Sequence, residues 1–91
     1  MMTPEAQQLA NAIRSMREFR GLTQLGLAER MGVAQSSIAR WEDPSYGAWS
    51  GRTLVALAAS LRCRLRVTFE DRSDVAAGPS PKESIDAAER L

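Results

Sequence analysis

Apolar positions recur at helical spacing through the first two thirds of the chain and then switch to every second residue. From Thr3 to Arg20, Leu9, Ala12, Ile13 and Met16 form one stripe, with Thr3 placed as an N-cap, Pro4 at the first helical position, Glu5 beside the positive end of the helix dipole and Gly21 as the stop. A second helix follows from Thr23 to Met31, capped by the Thr23 hydroxyl, with Gly26 in its interior at a cost of about 1 kcal/mol relative to Ala. A third, about Gln35 to Glu42, turns Ile38 and Trp41 inward. The stretch DPSYGAWSG, from Asp43 to Gly51, is rich in turn formers and predicts a loop anchored by Tyr46 and Trp49. A fourth helix, Arg52 to Leu61, carries Leu54, Leu57, Ala58 and Leu61 on one stripe, with Ser50 as its cap. Then Cys63, Leu65, Val67 and Phe69 alternate with Arg64, Arg66, Thr68 and Glu70, the signature of a half-buried strand, and nothing else in the pattern offers it a second strand. Beyond Asp71 the composition shifts to Ser, Pro, Ala, Gly and charge. Residues 1–72 are therefore expected to form one domain and 73–91 a mobile acidic tail, in which IDAAERL can make a turn or two of helix on a partner.

The second and third helices are separated by a single glycine, Gly32. A chain that ends one helix and begins another within three positions needs positive φ at the corner, which glycine adopts without steric cost. Ala28, four residues before it, is small enough for the two helices to cross closely, and Ile38, six residues after it, points back into the angle. Small residue, glycine and aliphatic at this spacing predict a helix-turn-helix. The third helix then presents Gln35, Ser36, Ala39 and Arg40 away from the core. On periodicity alone these are a polar surface. Their chemistry suits a major groove as well: Gln pairs with adenine, Arg with guanine, and Ser with a base or a phosphate, so Gln35, Ser36 and Arg40 are the candidate base-reading residues. Ala34 holds the N-cap position of this helix without a side-chain acceptor to offer.

The run Leu22, Thr23, Gln24, Leu27, Ala28, Gly32, Val33, Gln35, Ser36, Ile38, Arg40 and Glu42 resembles the Xre/Cro/C1-type helix-turn-helix family at fixed spacing. The resemblance implies a mainly α fold, a four- to five-helix lambda-repressor-like bundle. It also implies that Gln24 and Ser37 contact DNA phosphates, that Arg17 and Arg20 either assist them or serve the structure, and that Arg17 pairs with Glu42 to brace the first helix against the third. Over about residues 9 to 72 the outline, with its final helix and following strand, is similar to HipB-like antitoxin/autorepressors; the tail and the 43–51 loop depart from it.

Composition narrows the alternatives. The chain has 91 residues, 44% of them hydrophobic, room for one small core that gains from a second subunit. One cysteine, Cys63, and no histidine exclude an internal disulfide, the usual zinc sites and a His-dependent triad, so neither an enzyme nor a cofactor is expected. Cys63 itself fits a small apolar core residue on the inner side of the strand. Residues 1–70 carry nine Arg against six Asp and Glu, a net +3, and residues 71–91 three basic against five acidic, a net −2, a balance that permits nucleic-acid binding. No apolar run approaches the roughly 20 residues that cross a bilayer and no signal peptide is evident, so a cytoplasmic protein is expected.

The lone strand predicts a homodimer in which Cys63, Leu65, Val67 and Phe69 lie at an antiparallel pairing of the strand with its copy. Together these features lead to the expectation of a repressor or autorepressor that binds a palindromic double-stranded operator. The alternative is an antitoxin that neutralises a toxin enzyme by direct binding.

Overall fold

A computed structural model of the chain describes residues 2–71 and the backbone of residues 82–86. Four helices are followed by a two-stranded antiparallel sheet: α1 Pro4–Phe19, α2 Gln24–Met31, α3 Gln35–Trp41, α4 Gly51–Ser60, β1 Arg66–Glu70 and β2 Lys82–Asp86. Each helix start except that of α3 is fixed by a hydroxyl. Thr3 Oγ1 accepts from the Ala6 N–H at 3.0 Å, Thr23 Oγ1 from Gly26 N–H at 2.9 Å and Ser50 Oγ from Thr53 N–H at 3.0 Å. Ala34, extended at the N-cap of α3, makes no such bond, and the Ser37 N–H is satisfied instead by the Ala34 carbonyl at 3.0 Å. Gly32 closes α2 in the left-handed conformation, φ 71°, and the Val33 N–H bonds back to the Ala28 carbonyl, so α3 can leave at once in a new direction.

The core is small and centred on the corner. Leu27 and Ile38 are its largest fully buried side chains, joined by Ile13, Ala28, Leu57 and Leu61, with Trp41, Trp49, Val33, Met31, Met16 and Leu9 packed around them. One expectation about facing needs correction. On α1 the buried line runs through Ala10, Ile13 and Arg17, while Ala12 is exposed and Leu9 and Met16 are only half-covered. On α2, Leu25 is 51% exposed. The interior Gly26 also has a local reason to stay small, because a Cβ there would come within 3.2 Å of the capping Thr23 hydroxyl.

The expectation of a strand without a partner in its own chain is overturned. β2 pairs with β1 in the register Arg66↔Asp86 through Glu70↔Lys82. The segment KESID holds a single apolar residue, Ile85, so no hydrophobic alternation announces it as a strand. It also lies inside the stretch expected to be a mobile tail; the rest of that stretch, including most of IDAAERL, lies outside the described residues.

Two arginines tie the end of α4 to the rest of the bundle. Arg20 donates from Nε to the Leu61 carbonyl at 2.8 Å and from Nη2 to the Arg62 carbonyl at 2.9 Å, and Arg30 donates from Nη1 to the Ser60 carbonyl at 3.1 Å. These are the carbonyls a helix C-terminus leaves without intrahelical donors, and cations there also oppose the helix dipole. Among the described residues no helix is long and apolar enough to cross a membrane.

Candidate nucleic-acid interface

Ile38 is the hinge between packing and surface on α3. Its side chain is fully buried, while Gln35, Ser36, Ala39 and Arg40 are exposed on the remaining arc and Ser37 is half-covered. Gln35 and Ser36 stand in the first turn and Arg40 one turn later, so their polar groups share a face that no described element covers. A helix presenting Gln, Ser and Arg in this order can donate and accept at base edges along a major groove.

A buried ion pair sets the angle of that helix. Arg17 of α1 grips Glu42, the C-cap of α3, with two bonds: Nε to Oε2 at 2.6 Å and Nη2 to Oε1 at 3.0 Å. The third arm, Nη1, donates to the Leu22 carbonyl at 2.7 Å, in the turn between α1 and α2. One guanidinium therefore holds α1, the α1–α2 turn and the end of α3 in a fixed relation, and its planar fork suits that task better than a lysine would. The hydrogen bond to Glu42 raises the Arg17 pKa above its already high ordinary value, so the guanidinium stays charged although Arg17 is only 7% exposed.

Gln24, at the start of α2, joins the same carboxylate: its Nε2 donates to Glu42 Oε1 at 3.2 Å. A primary amide has two such hydrogens, so one remains for a phosphate. Arg14 approaches from outside, with Nε 3.7 Å from Oε1 and its side chain 59% exposed. Glu42 thus collects Arg17, Gln24 and Arg14.

Of the two roles left open for Arg17 and Arg20, both side chains take structural ones, Arg17 inside the bundle and Arg20 on the carbonyls after α4. Arg20 also lies 5.2 Å from the ring centre of exposed Phe19. Gln24 and Ser37 are each half-covered.

Sequence reasoning missed the participation of Gln24 and Arg14 in the Glu42 cluster. Helical spacing puts Arg14 one turn before Arg17, which was the available signal for it, whereas for Gln24 no local pattern points across to Glu42.

Behind α3 the loop is pinned by its aromatics. Trp49 packs on the core and donates from Nε1 to the Trp41 carbonyl at 2.9 Å, and Tyr46 meets the Trp49 ring edge-on, with centroids 5.4 Å apart at 89°. Asp43 accepts from the Ser45 N–H at 2.9 Å, a bond that lowers the carboxyl pKa and closes the turn directly after α3.

No curated protein and no solved structure matches the chain significantly. A family model described as helix-turn-helix does match, over residues 13–67, which spans the last two turns of α1, the Arg17–Glu42 brace, the corner at Gly32 and the first residues of β1. The chain belongs to the Xre/Cro/C1-type helix-turn-helix family and has the DNA-binding, transcription-regulating kind of function that goes with it.

Proposed function

We propose that the protein is a sequence-specific repressor, of its own promoter among others, that binds a palindromic double-stranded site as a homodimer. The observation that carries this reading is the exposed Gln35, Ser36 and Arg40 face on a helix whose orientation is fixed from behind by the buried Arg17–Glu42 pair. The unit that reads DNA and dimerises lies within residues 1–72, with Cys63, Leu65, Val67 and Phe69 at the subunit contact. Gln24 and Ser37 place the unit on the phosphates, and the chemistry is binding, without catalysis or cofactor. Two recognition helices related by a two-fold axis then meet half-sites about 34 Å apart.

Selection of bound duplexes from random DNA tests this directly. It is expected to return an inverted repeat whose affinity falls steeply as salt rises. Gln35→Ala and Arg40→Ala are each expected to cost about 1–3 kcal/mol on the selected site and to leave the thermal midpoint nearly unchanged. Binding equally tight to random duplex and indifferent to salt overturns the reading.

An added antitoxin role is compatible with this one. Phe19, 75% exposed, and Leu25, 51% exposed, are apolar side chains that a toxin enzyme would cover. Co-purification with the product of an adjacent gene, lost in Phe19→Ser, checks it.

A further inference from the structure

Of the arginines on α1, at its C-cap and on α2, three serve the fold: Arg17 holds Glu42, Arg20 the carbonyls of Leu61 and Arg62, and Arg30 that of Ser60. Arg14 does not. Among the described residues its one polar contact is the approach of Nε to Glu42 Oε1 at 3.7 Å, too long for a hydrogen bond, and its side chain is 59% exposed. Every N–H of this guanidinium therefore lacks an acceptor there. The guanidinium charges of Arg14 and Arg17 both face the single carboxylate of Glu42, which already takes its two short bonds from Arg17. Glu18, one turn after Arg14, acts on Arg17 only through space and forms an ion pair with neither arginine among the described residues. The cluster is left with a positive charge on its solvent side, carried by Arg14.

From this arrangement we infer that Arg14 is a DNA-backbone contact, forming with Gln24 a two-donor seat for one phosphate of the duplex. The inference rests on the DNA-binding reading above and adds a residue to which that reading gave no part. Gln24 Nε2 and Arg14 Nε converge on the same atom, Glu42 Oε1, at 3.2 and 3.7 Å, so they stand no more than about 7 Å apart, a span that one phosphate accepting from each at about 2.9 Å can bridge. The bond to Glu42 uses one amide hydrogen of Gln24 and leaves the other, while the longer contact steadies Arg14 without using its hydrogens. The place in the fold is suitable. Gln24 opens α2 and Glu42 caps α3, and in a helix-turn-helix the first helix of the pair crosses the DNA backbone while the second lies in the major groove. In a groove about 12 Å wide, the end of such a helix is within a side chain's length of the bordering phosphates. Glu42 does not repel a phosphate there, because Arg17 matches its charge, and the phosphate supplies the anion that Arg14 lacks.

Salt titrations of the full chain, unmodified and as Arg14→Ala and Arg14→Lys, on the selected duplex and on a random duplex of equal length test the seat. Arg14→Ala is expected to keep the thermal midpoint and to lose about tenfold in affinity at low salt on both duplexes alike. The slope of log K against log salt concentration is expected to shrink by about 1 for each bound copy, and Arg14→Lys, which keeps the charge, to restore it. Unchanged affinity and slope overturn the inference. So does a loss confined to the selected sequence, which would make Arg14 a base reader, or a loss explained by a lowered thermal midpoint. Single neutral methylphosphonates walked along the selected duplex then locate the seat: at one position the unmodified protein is expected to lose the same factor, and there Arg14→Ala and Gln24→Ala are expected to cost nothing more. Losses that add at every position overturn the shared seat. If the unmodified protein shows no preference for the selected duplex, the sequence-specific reading has failed, and the slope on the random duplex still decides for or against Arg14.

Discussion

Glu42→Ala and Arg17→Ala are each expected to destabilise the protein by about 3–5 kcal/mol, because each leaves its partner charged, buried and without its counterion. Both side chains are almost wholly inside the bundle, 9% and 2% exposed, so solvent screens the pair far less than a surface pair worth about 0–1 kcal/mol. Against a total stability of about 5–15 kcal/mol, such a loss unfolds a substantial fraction of a small domain at physiological temperature. The two deletions are not equivalent. Removing Glu42 strands Arg17 in the interior and takes the acceptor from Gln24 as well, whereas removing Arg17 leaves Glu42 with Gln24 and with Arg14 approaching from solvent. Glu42→Ala is therefore expected to be the worse of the two. Replacing both members by apolar residues, Arg17→Met with Glu42→Leu, removes the buried charges together and is expected to cost less than either single deletion. Urea midpoints on the unmodified protein, the two single Ala variants and the Arg17→Ala/Glu42→Ala double variant give the coupling directly, with the Met/Leu double read beside them. Single deletions costing under about 1 kcal/mol, or strictly additive effects, would place the pair in solvent and remove its role in setting α3.

The helices were legible because their signals are local. Thr3, Thr23 and Ser50 act within three residues of themselves, and Gly32 announces its corner by needing a conformation that L side chains avoid. The exposed face of α3 followed from the burial of Ile38, since a seven-residue helix that commits one side to the core has little choice about the other. Contacts that bridge distant parts of the chain were less legible. The Gln24–Glu42 bond joins residues 18 apart in sequence and the Arg20–Leu61 bond residues 41 apart, and neither has a spacing that a helical or strand period would pick out. Periodicity also placed the α1 stripe without its rotation: Ala12 and Ala10 are two residues apart and equally apolar, and nothing in the local pattern tells which of them is buried. β2 escaped for a different reason, as its five residues include one apolar side chain and its pairing is expressed in backbone register, to which hydropathy is blind.

Ile38→Ala is expected to cost about 2–5 kcal/mol, the range for removing a fully buried aliphatic side chain whose surroundings only partly collapse. The side chain is 0% exposed and sits in the angle between α2 and α3, against a core that contains Leu27 at 0% and Ala28 at 1%. The neighbouring Ala39 is exposed, so Ala39→Ser, one position along the same helix, is expected to change stability by less than about 0.5 kcal/mol. Two adjacent residues thus separate the packing side of the recognition helix from its reading side. Operator binding discriminates how the Ile38 loss is expressed. If the variant is merely less folded, affinity falls with the unfolded fraction at 37 °C and recovers near the temperature of maximum stability, about 10–20 °C. Affinity that stays low there, in a protein shown by circular dichroism to be folded, means the side chain also fixes the tilt of α3, and the reading face then depends on the core as directly as on the Arg17–Glu42 brace. Stability unchanged by Ile38→Ala would reverse the assignment of faces, and Gln35 and Arg40 could no longer be the residues that meet the bases.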